Sequence, residues 1–315
     1  MTAHLKAGVV GVGYLGKFHA RIYADMPDVD LVGVADADAA VAQEIGSQYG
    51  ASVFTDYRDL LDKVDVVSIV VPTSLHREVA LPFIEAGVHV LLEKPVASTL
   101  EDASMIVDAA EQADVILQIG HLERYNAGVM ALHKQAIEPR FIEAHRLGPF
   151  VQRATDVDVV VDLMIHDIDI ITSLVGEEIT AISANGLSVL TDHIDIANAR
   201  LEFANGAVAN VTASRVSTKK MRRIRMFGRD SYQALDFEDQ QLDVVRAVRR
   251  DPDSQFPEVV NERIAVEPAM PLDAELADFV KTVRAGARPL VNGSDGYRAL
   301  DVAFQVKEKI MQSLA

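Results

Sequence analysis

The sequence predicts a two-part protein: a doubly wound α/β domain over residues 1–120, then an α+β half over 121–315 with a large, mostly antiparallel open sheet. Three observations predict it. From about residue 6 to 120, short β-branched runs alternate with amphipathic stretches, the signature of βαβ units feeding a parallel sheet. A glycine-rich turn, Gly11-Val12-Gly13-Tyr14-Leu15-Gly16, joins the first run to the first amphipathic stretch. Beyond His121 the pattern becomes strands in series, with Asn205-Gly206 between two β-rich runs as a strong hairpin signal.

Taken in order, strands are expected at 7–10, 31–35, 66–71, 88–92 and 115–119, where Val, Ile and Leu dominate. Helices are expected between them at 15–26, 37–49, 76–86 and 100–113, the last announced by Ser98-Thr99 ahead of Glu101-Asp102. The second half reads as a helix over 123–134, a strand at 141–146, a helix at about 159–175, a strand pair at 196–203 and 207–213, and further strands at 221–227 and 234–237. The stretch around 251–271, with Pro252, Pro257, Pro268 and Pro271, reads as loop. Helices at 273–285 and 295–314 close the chain, and the last is a candidate to pack back on the first domain.

Composition narrows the function. A chain of 315 residues, 49% hydrophobic and 24% charged, has the makeup of a globular protein with a large core, which excludes disorder, collagen-like repeats and coiled coil. The absence of cysteine removes disulfides, thiolate metal sites and cysteine nucleophiles. A net charge of −17, from 30 basic and 47 acidic side chains, repels DNA and anionic membranes, so no nucleic-acid partner is expected. The most apolar stretch, 157–171, is interrupted by Asp158, Asp162, His166, Asp167 and Asp169, and residues 1–12 carry no export signal, so the protein is expected to be soluble and cytoplasmic.

Glycines in the turn after the first strand let a pyrophosphate approach a helix N-terminus. Asp36, at the end of the second strand and about twenty residues beyond Gly16, is where a carboxylate accepts both hydroxyls of the adenosine ribose. Together they form a Rossmann fingerprint. The Asp36 carboxylate repels a 2′-phosphate, so the expected cofactor is NAD. The candidate cofactor contacts are Gly11, Gly13, Tyr14, Leu15, Gly16 and Asp36, with Pro72, Ser74, His76, Glu93 and Lys94 on later turns.

Lys94 ends a parallel strand, outside the carboxyl edge where ligands of open α/β sheets bind. Taken alone, a lysine before a proline reads as a solvated loop residue. Asp162 and His166 are spaced i,i+4 and share a helix face, and histidine has the pKa suited to removing a hydroxyl proton. The competing reading makes Asp162, Asp167 and Asp169 helix-surface charges and His166 a core histidine. A metal pair would need a third ligand, and no metal is expected.

Three segments carry a resemblance: Val71-Pro72-Thr73-Ser74-Leu75-His76; Ala86-Gly87-Val88-His89-Val90-Leu91-Leu92-Glu93-Lys94-Pro95; and Asp162-Leu163-Met164-Ile165-His166-Asp167. They resemble the Gfo/Idh/MocA family of sugar and cyclitol dehydrogenases over nearly the whole chain. The resemblance implies that Lys94 lies beside the nicotinamide and the reacting carbinol, that the following proline is often cis, that His166 is the acid/base, and that Asp162 binds substrate or tunes the histidine. It also implies a substrate-side segment at Gly120–Asn126, with Arg124 and Asn126 as candidate substrate residues; either reads equally as a helix-start residue. The chain departs from the family just before the helix, where many members have glycines and this one has Asp156-Val157-Asp158-Val159-Val160-Val161.

Residues 159–171 and the short length look most like the UDP-N-acetylglucosamine 3-dehydrogenases, which implies oxidation of a sugar ring hydroxyl at C3. The alternatives are an inositol or aldose dehydrogenase, or an NAD-binding regulator without turnover. The basic run Lys219, Lys220, Arg222, Arg223 and Arg225 reads first as an exposed or subunit-interface strand and second as a clamp for a nucleotide diphosphate. A homodimer or homotetramer is expected from the open sheet face and from the family's habit.

Overall fold

The computed structural model describes residues 4–135, 137–151, 157–250, 254–267 and 269–314; Asp156, Pro252 and Pro268 lie outside them. The chain forms two compact units. The first comprises the chain up to Leu122 together with Met270–Arg298, and the second Glu123–Ala269 with the chain from Ala299.

In the first unit, six parallel strands lie in the order β3-β2-β1-β4-β5-β6. They are β1 (Leu5–Val10), β2 (Val29–Ala35), β3 (Ser52–Phe54), β4 (Val66–Ile69), β5 (His89–Glu93) and β6 (Leu117–Gly120). Every residue of β4 is buried, as a strand covered on both faces requires. Connections run through α1 (Gly16–Asp25), α2 (Ala39–Tyr49), α3 (His76–Glu85) and α4 (Leu100–Gln112). The order reverses between β1 and β4, and that reversal opens the crevice in which such sheets bind ligands. The three-residue β3 escapes the sequence because its run is too short to show a period.

α7 (Pro271–Ala285) also belongs to this unit: Leu276, Phe279 and Val280 share a core with Ala20, Ile22 and Tyr23 of α1. The long α8 (Gly293–Leu314) contributes its residues to Arg298 to the first unit and those from Ala299 to the second. The cap expected from Ser98-Thr99 is present, with Asp102 N donating to Thr99 Oγ1 at 3.1 Å.

The second unit is built on an eight-stranded sheet of order β14-β13-β12-β11-β7-β10-β9-β8. Its strands are β7 (Phe141–Leu147), β8 (Ile179–Leu187), β9 (Ile196–Phe203), β10 (Val208–Ser214), β11 (Met221–Phe227), β12 (Ser231–Asp236), β13 (Gln241–Val248) and β14 (Glu258–Ile264). All pairs are antiparallel except β7 with β10. The β9–β10 turn uses Gly206 at φ 79°, and Ala207 N donates to Asn205 Oδ1. Along β9, Ala197, Ala199, Leu201 and Phe203 are buried while the alternating residues are exposed, so one face of the sheet is packed and the other open. α5 (Ala127–His133) contacts β12 and β13, and α6 (Ile165–Val175) contacts β7 and β10.

Two expectations are corrected here. The stretch read as loop contains β14, an edge strand whose exposed Glu258, Glu262 and Arg263 leave no hydrophobic alternation to read. The single helix expected at 159–175 begins as a π-helical turn, Val160–Met164, before becoming α6.

Thr99→Ala should remove the α4 cap and lower the free energy of unfolding by about 1 kcal/mol. Chemical denaturation measures it, with NAD affinity unchanged as the companion result.

Candidate active site

The turn after β1 fits a dinucleotide by close approach. Gly11 has φ 83°, and a Cβ there would stand 2.8 Å from the Val70 backbone. A Cβ on Gly16 would strike the Gly11 carbonyl at 1.8 Å, whereas nothing lies within 4 Å of a Cβ on Gly13. The first and third glycines therefore close the turn, and the second leaves room above the start of α1. A cavity of about 350 Å³ adjoins it, lined by Gly11, Gly13, Asp36, Val71, Pro72 and Leu75. Asp36 is fixed by two backbone donors, Val12 N to Oδ2 at 2.9 Å and Asp38 N to Oδ1 at 3.0 Å. Each oxygen keeps a further lone pair for a ribose hydroxyl.

Tyr14, Pro72 and Ser74 are exposed on these turns, and Leu15 is half-buried. His76 is placed differently from the expectation of a cofactor contact. It is buried, with Nδ1 3.0 Å from the Pro95 carbonyl oxygen and Nε2 3.0 Å from that of Val71. Burial lowers its pKa against the opposing pull of the carbonyls, and a neutral ring, with one N–H, donates to only one of them while packing between the Val71 and Pro95 turns. It lies between the turn that follows β4 and the turn that follows β5.

Glu93 ends β5 and Lys94 follows it, both half-buried, and the Lys94–Pro95 peptide is cis. Behind them lies a polar cluster that the sequence reading missed. Glu93 Oε2 accepts from Lys94 N at 3.3 Å, and Oε1 stands 3.4 Å from Nε2 of the buried His19. Glu275 on α7 is fully buried, and neither of its carboxyl oxygens has a hydrogen-bond partner among the described residues. Burial, reinforced by the Glu93 charge, pushes the Glu275 carboxyl well above the usual carboxylate range. A signal existed in the helical period, since His19 follows Gly16 by three and Glu275 precedes Phe279 by four on buried faces.

In the second unit, Asp162 lies in the π-helical turn and His166 in the first turn of α6, both half-buried. The neighbouring acids are not surface charges. Asp167 takes a bidentate pair from Arg146 on β7, at 2.8 and 3.0 Å, and Arg146 also donates to Glu123 at 2.8 Å. Burial alone would lower the Arg146 pKa, but Asp167 and Glu123 overcome it and raise the value. Asp169 pairs with Arg124 at 3.3 Å. Arg124 is thus buried within the fold, and Asn126 is the N-cap of α5, its Oδ1 accepting from Gly128 N at 2.9 Å. Of the alternatives open for these two residues, the structure favours the structural ones.

The basic run divides as strand alternation requires. Arg222 shares the packed face with Ile224 and Met226 and lies 3.7 Å from Glu123, while Arg225 pairs with Glu143 and Lys220 with Glu238. Among the described residues, no three His, Asp or Glu side chains converge on a point that could hold a metal ion. No helix among them is long and apolar enough to cross a membrane.

The family model described as an oxidoreductase family with an NAD-binding Rossmann fold matches residues 5–121, and that of the GFO/IDH/MocA C-terminal domain matches 129–232. The chain belongs to the Gfo/Idh/MocA family. It is 38% identical, over 96% of each chain, to the UDP-N-acetylglucosamine 3-dehydrogenase of Acidithiobacillus ferrooxidans. A solved structure of the enzyme of that name from the same organism aligns with TM-score 0.92 at 36% identity, covering 100% of both chains. The myo-inositol 2-dehydrogenase of Thermotoga maritima is 28% identical over 97% of this chain and 96% of its own. Like its family, the chain is an NAD-binding oxidoreductase, and its Gfo/Idh/MocA dinucleotide half is the one the glycine turn and Asp36 announced.

NAD should bind more than tenfold tighter than NADP, and Asp36→Ala should narrow that ratio; fluorescence titration of both cofactors measures it. A second outcome follows from Glu275, whose folded pKa lies above its unfolded one. Its contribution to stability is complete below the unfolded value and is lost as pH rises toward the folded one. Glu275→Gln should therefore gain stability on the wild type progressively from about pH 5 upward. A gap that stays constant across a pH series of urea midpoints would mean that the carboxyl is ionised throughout.

Proposed function

We propose that the protein is an NAD-dependent dehydrogenase that oxidises the C3 hydroxyl of UDP-N-acetylglucosamine to the 3-keto nucleotide sugar. One observation carries this reading: the likeness to the Acidithiobacillus ferrooxidans enzyme runs through both units, including the half in which substrates are discriminated. Bound NAD supplies a hydride acceptor at the nicotinamide ring.

The chain's own residues supply proton handling and orientation. His166 accepts the hydroxyl proton, the role of an imidazole general base. The Lys94 ammonium donates a hydrogen bond to the same oxygen and orients it. Asp162 positions the sugar or the His166 ring. The Asp167–Arg146 pair beside His166 fixes α6 against the sheet, so the imidazole is presented by a rigid element. Glu93 and the fingerprint residues hold the cofactor, with His76 bracing their loops.

A reaction drawing on NAD and a nucleotide sugar belongs in the cytoplasm. The open face of the second unit's sheet is our proposed surface for a homodimer or homotetramer. It carries the ring cluster Phe141, Phe227 and Tyr232, with centroids 5.8 and 4.9 Å apart.

The test is absorbance of reduced nicotinamide with NAD and a panel of UDP-N-acetylglucosamine, inositols and free aldoses, with a ketone-consuming aminotransferase to draw the equilibrium. Signal confined to the nucleotide sugar is expected. Signal only with inositols or aldoses would overturn the substrate, and silence beside tight NAD binding would favour a regulator. His166→Ala and Lys94→Ala should each lower kcat by about 100-fold or more with NAD affinity nearly unchanged. Near-normal turnover in either would remove its assigned role.

A further inference from the structure

The π-helical turn Val160–Met164 carries Asp162 and leads directly into His166, so whatever holds this turn also sets the direction of both side chains. A π turn is a rare, strained winding that persists only when its surroundings specify it, and such turns recur at functional sites. Its entry is fastened by Asp158, buried at 3% exposure. Oδ1 of Asp158 accepts from Val160 N at 3.1 Å and Val161 N at 3.0 Å, and its backbone carbonyl accepts from Asp162 N at 3.1 Å. Val159 N donates to the Ile194 carbonyl at 2.9 Å, and the Arg215 guanidinium donates to the Val157 carbonyl.

This cap is a carboxyl group almost wholly withdrawn from solvent, where a cationic partner is favoured. The cation comes from far along the chain: Lys307 Nζ on α8 lies 2.8 Å from Asp158 Oδ2. The lysine is itself half-exposed, so its charge costs little to keep while it neutralises the buried partner.

We propose that Lys307 is a positioning residue for the dehydrogenase reaction: through Asp158 it keeps the π turn wound and so holds Asp162 in its place alongside His166. Without Lys307 the buried carboxyl group loses its charge partner and swings toward water, away from Val160 N and Val161 N, which loosens the cap. Relaxation of the turn to ordinary α winding shifts the register by one residue, which turns Asp162 by about 100° relative to α6. The departure from the family's glycines at 156–161 acquires a meaning here, because a glycine at position 158 would have no side chain to cap the turn or meet a lysine.

The inference rests on reading Asp162 and His166 as the substrate-side residues, and its test separates the two. Three variants are compared with the wild type: Lys307→Met, Lys307→Arg, and the double variant Asp158→Asn with Lys307→Met. In the double variant an amide oxygen still caps the turn but no charge needs a partner.

Hydrogen exchange of the peptide spanning 157–166 reads the turn without reference to turnover. Lys307→Met should speed exchange at Val160–Asp162 by about tenfold or more, while peptides from the rest of the second unit keep wild-type rates; Lys307→Arg and the double variant should match the wild type. Kinetics on whichever substrate the wild type oxidises should follow suit: kcat/KM for the sugar falls at least tenfold in Lys307→Met, returns to within threefold in the other two, and NAD affinity stays put.

Wild-type exchange in Lys307→Met overturns the proposal. So does faster exchange spread over the whole unit, or failure of the double variant to recover. A wild-type protein silent on every sugar overturns the functional reading, and exchange still decides the clamp.

Discussion

The bidentate pair between Arg146 and Asp167 is the constraint around which the second unit is arranged. A guanidinium on a central strand is buried against a carboxylate on the helix that follows the π turn, with Glu123 accepting from the same arginine. Such a pair adds little net stability compared with apolar residues of the same volume, but removing one partner costs about 3–5 kcal/mol because the other charge is stranded. What it fixes is register. A fork of two parallel hydrogen bonds admits one rotation and one height of α6 on the sheet, and His166, the residue before Asp167, inherits both. The second pair, Arg124 with Asp169, repeats the constraint two residues on.

The two units reach their precision by different means. In the first, backbone does the work: glycines clear space, the start of α1 lies beneath it, and amide donors hold Asp36 in place. In the second, charged side chains from distant parts of the chain meet inside the protein, and the sheet is a platform with small residues such as Ala144, Ala197, Ala199 and Ala209 on its packed face. A cofactor shared by a whole family suits a site built from backbone.

This difference also explains what could be read from the sequence. The parallel half, the glycine turn, Asp36 and the Thr99 cap are local patterns whose spacing follows from helix and strand geometry, and they appear where expected. Asp167 and Asp169 looked like surface charges because their partners lie 21 and 45 residues away. Strand parity held a partial clue, since Arg146 continues the buried series Ile142, Ala144. The π turn left no trace because five residues are too few for a period to distinguish one winding from another. Arg124 and Asn126 were drawn to the site by their place in the chain, whereas their chemistry, a cation within reach of Asp169 and a side-chain oxygen ahead of a helix, is spent on the scaffold.

The charged strand at the margin of the larger sheet bears on how copies of the protein can associate. At that margin β14 presents Glu258, Glu262 and Arg263 to solvent, and any chain adding as a ninth strand would have to bring its own backbone alongside those charges. Growth in the plane of the sheet is therefore discouraged at that end.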